Sequence, residues 1–549
     1  MSEKTQNIIK KSILVGALTS SFGVFLSKIL GLLYYSPLCS LAGEENIVYY
    51  TITYSYYDIL LYISQAGIPF AITTLVSSYI AKKDYRSALF VKKIGITFVF
   101  VLSVACAIIF YVFSGYFARY AIGGASASLQ QVSSLRNLFL ILIIAIVFVP
   151  YLSAIRGYFQ GLKRFDIYSS SQVFEQFVRV ASILLFGYLV VVVFKQDNIY
   201  AIYCAIGAAG IAAIASIIFV KLFGRKDEKT IEEYAKEQDK NTIDKKRIIG
   251  DIIRIGVPYV LISIFGSAGP FINSNFFINY VTKCGVMSLE NAQLSLGILM
   301  GACQKLNAIP QVLSVGFCAG LVPYLSETVE KQDYQKLSKQ VFQLNDTLFF
   351  FLIPMLLIYL FFGRDIYYIM YGSENLTLGT DLLRRSVITS LTETVLPVFT
   401  SIVISLRLRK ESVFTLILGS VIKFISFFPL VKHFGIFGLI LSTALVTVCC
   451  MTIYLILLKK NYGLNFMSSV KRIFLIFVNS LISVVPCFII RRFVVFAYNS
   501  RLLCLLSLFA FGVLMLIIYY QMSKKTNMLK NIFDIEDSSI KTLLKKFKL

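Results

Sequence analysis

The chain is divided into apolar blocks of about 20 residues or more, separated by short polar loops. Each block is long enough to cross about 30 Å of hydrocarbon as a helix. Because only 15% of the residues are charged and 57% are hydrophobic, a soluble particle of this size would lack a polar coat. The sequence therefore predicts an all-α polytopic membrane protein of about 14 transmembrane helices, over residues 12–38, 47–80, 91–116, 137–157, 172–194, 199–223, 251–280, 293–325, 346–371, 378–406, 412–432, 436–458, 471–490 and 501–522.

The net charge of +24 lies in the loops between these blocks. One loop, 81–93, holds Lys82, Lys83, Arg86, Lys92 and Lys93, whereas the loop 39–46 on the opposite side holds no basic residue. Loops rich in Lys and Arg stay on the cytoplasmic side. We therefore expect a multi-pass protein of the cell membrane with both termini cytoplasmic, and no binding of nucleic acid.

A charged segment after the sixth block divides the chain. It predicts an N-terminal lobe over 1–223, a cytoplasmic linker over 224–250, partly helical, and a C-terminal lobe over 251–460. A helix pair over 461–522 and a basic amphipathic tail over 523–549 would follow. Residues 161–180 and 405–424 align without gaps at an offset of 244, which places Arg179 opposite Lys423. This repeat predicts two pseudo-symmetric lobes of six helices.

Ionisable side chains inside a span cost several kcal/mol unless they face a cavity or a partner, so they are candidate site residues. Lys28 lies in the first block and Asp58 in the second. In the fifth block Gln172, Glu175 and Arg179 share one helical face. The alternative for this face is an internal Glu175–Arg179 pair, four residues apart, that stabilises the fold.

The eighth block carries a further polar stripe, with Gln304 and Asn307 as candidate cavity residues and Lys305 beside them. Glycine and proline punctuate several blocks and are expected to bend or interrupt helices that line a cavity. In the seventh block Asn273, Asn275 and Asn279 add polar groups near such a point. The candidate hinges are Gly67, Pro69, Gly269, Pro270 and Pro310.

Signatures of catalysis are missing from the sequence. The only histidine is His433, the ten cysteines form no CxxC pair, and no Walker A, HExxH or GxSxG pattern occurs. We therefore expect no enzyme, no metal site and no cofactor, with energy drawn from the membrane potential or a monovalent ion.

Three stretches carry a resemblance to a known family: Arg156-Gly-Tyr-Phe-Gln-Gly161, Ser171-Gln172, and Glu175-Gln176-Phe-Val-Arg179. They resemble the signature of the MurJ/MviN-type lipid flippases of the MOP (MATE-like) superfamily, in the Gram-positive branch that includes stage V sporulation protein B. The resemblance covers roughly residues 10–460. It implies a V-shaped pair of lobes, alternating access and export of a polyprenyl-diphosphate-linked sugar, and it adds Arg156 to the candidate cavity residues.

The chain departs from the branch at three points. Tyr35-Ser36 stands where an Arg often follows the tyrosine, Asp166-Ile-Tyr-Ser lacks a Pro, and Asn273 and Asn275 stand where an Asp is common. These departures leave the exact glycan open.

Two functions follow as hypotheses. The first is a flippase for a lipid-linked peptidoglycan precursor (lipid II) or a related glycan, in which Lys28, Arg179 and Lys305 bind the diphosphate. The alternative is an ion-coupled exporter of the MATE type that binds cations through Asp58 and Glu175. For the flippase we expect a monomer among bilayer lipids, with the cell-wall synthesis machinery as a partner. A membrane scaffold without transport is a third possibility.

Overall fold

The chain folds into helices joined by short turns. The computed structural model describes residues 30–31, 34–65, 67–238, 244–330, 332–493 and 500–533, and within these ranges no strand occurs. Numbered along the chain from α1 to α17, the helices are Tyr35–Ala42, Ile47–Gln65, Gly67–Ala81, Tyr85–Ile122, Leu129–Gly161, Phe165–Tyr188, Ile199–Glu237, Lys245–Lys283, Leu289–Gly297, Gln304–Glu330, Tyr334–Tyr371, Leu376–Ser405, Arg409–Phe434, Ile436–Tyr462, Met467–Arg491, Arg501–Lys525 and Met528–Phe533.

Eleven helices of the described chain are long and apolar enough to cross a membrane. They correspond to eleven of the fourteen predicted spans, and the all-α polytopic fold is confirmed. The first predicted span, 12–38, lies mostly outside the described residues. The second, 47–80, corresponds to α2 and α3, and residue 66 between these helices lies outside the described residues. The eighth, 293–325, is divided among α9, a π-helical segment over Ile298–Cys303, and α10.

Short polar side chains fix where many helices begin. A Ser or Asp just before the first turn accepts a hydrogen bond from the backbone amide three residues later, which satisfies a group that no helical carbonyl can reach. These caps explain why the polar loops between the apolar blocks end where they do. They are Asp84, Ser128, Asp244, Ser288, Asp333 and Ser500.

The described residues group into two compact units. The first contains the chain up to Lys305 together with Leu416–Ser442, and the second contains Leu306–Thr415 and the chain from Thr443 onward. This grouping follows packing, whereas the predicted lobes 1–223 and 251–460 follow the internal repeat, so the predicted boundaries stay a prediction.

Two loops at the offset of the proposed repeat end their helices in the same backbone turn. Lys163, after α5, and Arg407, after α12, both adopt left-handed conformations, with φ of 62° and 64°. They are 244 positions apart, the offset of the sequence alignment. The same three backbone hydrogen bonds close both turns: Leu162 to Tyr158, Lys163 to Gln160 and Arg164 to Phe159, then Leu406 to Ile402, Arg407 to Ile404 and Leu408 to Val403. The same turn also follows α3 at Lys83 and α8 at Gly285, so it does not test the internal repeat, which stays a prediction.

Helix α7 continues beyond its apolar part through residues 224–237, and α8 begins at Lys245, so most of the predicted linker 224–250 is helical. This polar extension contacts two loops of the first unit. Its Glu228 pairs with Lys92 at 2.9 Å, and its Asp227 pairs with Arg164. The carbonyl of Ala235 accepts from Arg86 Nε at 2.8 Å. The extension therefore braces the α3–α4 and α5–α6 loops against one another.

Asp84 provides a pH-dependent contact to the brace. Its carboxylate accepts from the Ser87 amide at 3.1 Å and from Gln238 Nε2 at 3.2 Å. Burial alone would raise the pKa of Asp84, but the hydrogen bonds from Ser87 and Gln238 outweigh it and lower the pKa. A lowered carboxyl pKa stabilises the fold above the ordinary value of about 4, and this contribution is lost as the pH falls.

We therefore expect Asp84→Asn to lower the thermal unfolding temperature at pH 7, with a difference from wild type that shrinks at pH values below about 4. Thermal unfolding of both proteins in detergent, across this range, measures the difference. A difference that stays constant with pH would contradict a role for the carboxylate charge.

Two ion pairs tie α15 to α11 in the second unit. Asp346 pairs with Arg472, and Asp365 pairs with Arg491. The members are 19 residues apart on each helix, or about 28 Å at 1.5 Å per residue. That length is close to the hydrocarbon thickness of about 30 Å. The pairs therefore lie near the two ends of the span, and they attach the predicted helix pair 461–522 to α11.

Prolines do not interrupt the seventh span. Helix α8 runs from Lys245 to Lys283 through Pro258 and Pro270, so of the bend or interruption expected at Gly269 and Pro270 the interruption is absent from this helix, and the bend stays a prediction. In membrane helices, neighbouring helices can accommodate the hydrogen bond that a proline removes. The hinge role of these residues stays a prediction.

Candidate functional site

The fifth span brings charged groups together inside the first unit. On α6, Glu175 and Arg179 are one helical turn apart, and Arg179 Nη2 donates to Glu175 Oε1 at 2.6 Å. The other carboxylate oxygen, Oε2, accepts from Arg156 Nη1 at 2.7 Å. One buried carboxylate thus bridges two guanidinium groups, so the predicted internal pair exists and has a third member from α5.

Arg156 uses all three of its nitrogens within the protein. Besides Glu175, it donates from Nε to Ser171 Oγ at 2.8 Å and from Nη2 to Ser216 Oγ at 3.0 Å. Ser216 in turn donates to the carbonyl of Ser171. These bonds connect α5, α6 and α7, and only 7% of Arg156 is exposed. Arg156 therefore serves the packing of the unit, whereas the buried Nε of Arg179 finds no partner among the described residues.

The two glycines of the Arg-Gly-Tyr-Phe-Gln-Gly stretch determine which side of α5 packs on α3, and therefore which helices Arg156 contacts. A Cβ on Gly157 would lie 2.7 Å from the carbonyl oxygen of Pro69, and one on Gly161 would lie 2.9 Å from that of Thr73. Thr73 Oγ1 also donates to the Gly157 carbonyl at 2.9 Å. The two glycines thus let α5 pack closely on α3, while Arg156 contacts α6 and α7.

Lys305 is positioned by an irregular part of the eighth span. It follows the π-helical segment Ile298–Cys303, and π-helical turns often occur at functional sites. Gly297 and Gly301 allow this segment to approach α2 closely, since a Cβ on Gly297 would lie 3.1 Å from the Val48 amide nitrogen. Lys305 Nζ then donates to Tyr34 Oη at 3.3 Å.

Asp58 completes the set. Its side chain is exposed although it lies well inside α2, and it is within electrostatic range of Lys305 and Arg179. Tyr54, one turn earlier on α2, is within range of the same two cations. We call Asp58, Arg156, Glu175, Arg179 and Lys305 the charged cluster. It combines three cations with two carboxylates in one unit. The net charge of the cluster is therefore +1, which favours binding of an anion.

The other predicted site residues lie in different surroundings. Lys28 falls outside the described residues. Gln172 donates to Tyr168 Oη at 3.1 Å on the cluster's own helix, and Gln304 precedes Lys305 in the first unit. Asn307 belongs to the second unit, where Ser386 Oγ donates to it at 3.4 Å. The role of all these residues in binding substrate stays a prediction.

Sequence reasoning missed several members of the surroundings. Tyr50, Tyr54, Tyr57 and Asp58 recur at helical spacing on α2, a pattern that would have placed the tyrosines on the same face as Asp58. Lys423 is also buried, and it donates to Ser442 Oγ at 2.6 Å and to the Leu439 carbonyl at 3.2 Å. The sequence feature that could have identified Lys423 is its alignment with Arg179 in the proposed repeat.

Long apolar helices with ionisable side chains clustered inside them are typical of polytopic membrane transporters. The chain belongs to the polysaccharide biosynthesis protein family, which it matches over residues 13–329.

Individual relatives agree with this assignment. The chain is 26% identical to the lipid II flippase MurJ of Bacillus subtilis (strain 168), over 86% of this chain and 87% of the relative. It is 23% identical to stage V sporulation protein B of the same organism, over 66% and 68%.

Solved structures share the fold at low sequence identity. The inward closed conformation of the lipid II flippase MurJ superposes with a TM-score of 0.63 at 14% identity, over 93% of this chain and 99% of that one. The inward-facing conformation of a multidrug resistance MATE family transporter superposes with a TM-score of 0.60, also at 14% identity, over 81% and 99%. These matches show that the chain shares its fold with both transporters.

Proposed function

We propose that this protein moves a lipid-linked peptidoglycan precursor, or a related polyprenyl-diphosphate glycan, from the inner to the outer leaflet by alternating access. The charged cluster is the observation that carries the proposal. Arg179 and Lys305 present donors inside the spans to an anionic head group, while the lipid tail stays in the bilayer. The similarity to the lipid II flippase of B. subtilis over most of both chains supports this substrate class.

The proposal requires no bond to be made or broken, so it treats the protein as a transporter and not as an enzyme. In the proposed orientation both termini are cytoplasmic. Movement of the head group from the inner to the outer leaflet then carries its negative charge out of the cell. At an inside-negative potential of 100 mV this gains about 2.3 kcal/mol per charge. A monomer coupled to this potential or to a monovalent ion needs no cofactor. The cell-wall synthesis machinery would supply and receive the substrate.

Neutralising the cations tests the cluster. Each charge-assisted hydrogen bond contributes roughly 1.5–3 kcal/mol, so Arg179→Ala and Lys305→Ala should each slow flipping about 10- to 100-fold. The assay uses proteoliposomes with a fluorescent polyprenyl-diphosphate disaccharide, whose outer-leaflet fraction is bleached by an impermeant reductant.

Arg385→Ala is the matched control, because it removes an equal charge from a side chain that is 45% exposed and pairs with Asp381 on its own helix. It should retain flipping close to that of wild type. Full flipping by both cluster variants would rule out the cluster as the binding site.

A MATE-type exporter of organic cations is the second candidate. The exposed Asp58 beside the α2 tyrosines is the observation that favours it, since carboxylates and aromatic faces attract cations. If wild type lowers accumulation of a cationic dye in an efflux-deficient host, Asp58→Asn abolishes this, and no lipid is flipped, the exporter replaces the flippase.

A further inference from the structure

Four aromatic rings surround the ammonium group of Lys305. Its Nζ lies 5.5 Å from the ring centroids of Tyr34 and Tyr35, 6.0 Å from that of Tyr50 and 5.9 Å from that of Tyr54. All four distances fall within the range of a cation–π interaction. We call these four residues the tyrosine cage.

The cage is built before any ligand arrives. Tyr34 and Tyr50 share a hydrogen bond between their hydroxyls at 2.6 Å, and the rings of Tyr50 and Tyr54 are 4.4 Å apart. Tyr34, Tyr35 and Tyr50 are at most 3% exposed. These rings are therefore walls around Lys305 and leave little surface for a substrate to touch.

The surroundings of Lys305 differ from those of Arg179 in the charge of the groups that contact the cation. Arg179 is paired with Glu175, which compensates its charge. No carboxylate of the described chain lies within ion-pair distance of Lys305 Nζ, and Asp58 acts on it only at longer range. Tyrosine rings stabilise a desolvated ammonium through their quadrupole and bring no net negative charge. The cage thus keeps Lys305 charged, oriented and open to an anion.

We propose that Tyr34, Tyr35, Tyr50 and Tyr54 are positioning residues that hold Lys305 as an uncompensated anchor for a substrate oxyanion. This inference deepens the proposed function and rests on it for the identity of the oxyanion as a diphosphate. Its chemical core, anion capture by a caged ammonium, can be measured separately from flipping.

Inorganic pyrophosphate binding to the full-length protein in detergent, followed by calorimetry, tests the cage. Tyr54→Leu removes a ring and should weaken binding three- to tenfold, whereas Tyr54→Phe keeps the ring and should bind like wild type. Tyr50→Leu and Tyr50→Phe repeat the comparison, in case one site impairs folding. Lys305→Met should weaken binding by tenfold or more.

The decisive measurement is the double variant. In the Lys305→Met background, Tyr54→Leu should cause no further loss, because the ring acts only through the ammonium. An equal loss from Tyr54→Leu with and without Lys305 would show a merely structural ring and overturn the proposal, as would a wild-type protein that binds no pyrophosphate. If the effects of Tyr54 and Lys305 on pyrophosphate binding depend on one another but the protein flips no lipid in proteoliposomes, the role of the tyrosine cage stands and the proposed function is rejected.

Discussion

Replacing Glu175 by leucine is expected to lower the free energy of unfolding by about 3–5 kcal/mol. The reason is that Glu175 is the shared partner of Arg156 and Arg179, so its removal leaves two guanidinium groups in the spans without their counter-charge. Thermal unfolding of the purified variant in detergent measures the effect. Because Arg156 also connects α5 and α7, we expect the loss to affect the whole first unit.

Asp166→Asn on the same helix is the matched control. Asp166 also pairs with an arginine, Arg164 at 2.7 Å, but its side chain is 61% exposed. Exposed pairs contribute below about 1 kcal/mol, so this variant should unfold close to wild type. If Glu175→Leu were as mild as Asp166→Asn, the charged cluster would not contribute to stability as described.

The second large effect is expected from Gly67→Ala. A Cβ on Gly67 would lie 2.1 Å from the carbonyl oxygen of Gly256 and 2.6 Å from Val260. The Gly256 oxygen belongs to the backbone of α8, so relief requires the two helices to separate. Such overpacking costs about 1–3 kcal/mol, and it should reduce both the unfolding temperature and the rate of flipping.

The reciprocal substitution provides the comparison. A Cβ on Gly256 would lie 3.5 Å from Gly67, an ordinary van der Waals distance. Gly256→Ala adds the same methyl group to the same helix contact and should be close to neutral, or slightly stabilising, because alanine favours a helix by up to about 1 kcal/mol. Equal destabilisation by both variants would contradict the close approach at Gly67.

Periodicity along one helix could be predicted from the sequence, and contacts between helices could not. The Glu175–Arg179 pair follows from a spacing of four residues, and the structure contains it. Arg156 lies 19 residues earlier on a different helix, so no local pattern identifies it as the third member. The family resemblance marked Arg156 as a cavity residue, yet its three bonded nitrogens show a packing role.

The surroundings of Lys305 illustrate the same limit. Lys305 and Tyr34 are 271 positions apart, and only the close approach of the π-helical segment to α2 brings them together. The apolar blocks predicted span lengths well, because hydrocarbon thickness sets them. They did not predict the irregular eighth span, since hydropathy averages over such a local change in backbone.

The polar extension of α7 has a mechanical consequence. Because residues 224–237 contact Arg86 and Lys92 near the start of α4 and Arg164 just before α6, they link the starts of these two helices to the end of α7. These ion pairs and hydrogen bonds oppose separate movement of the helix ends that they join.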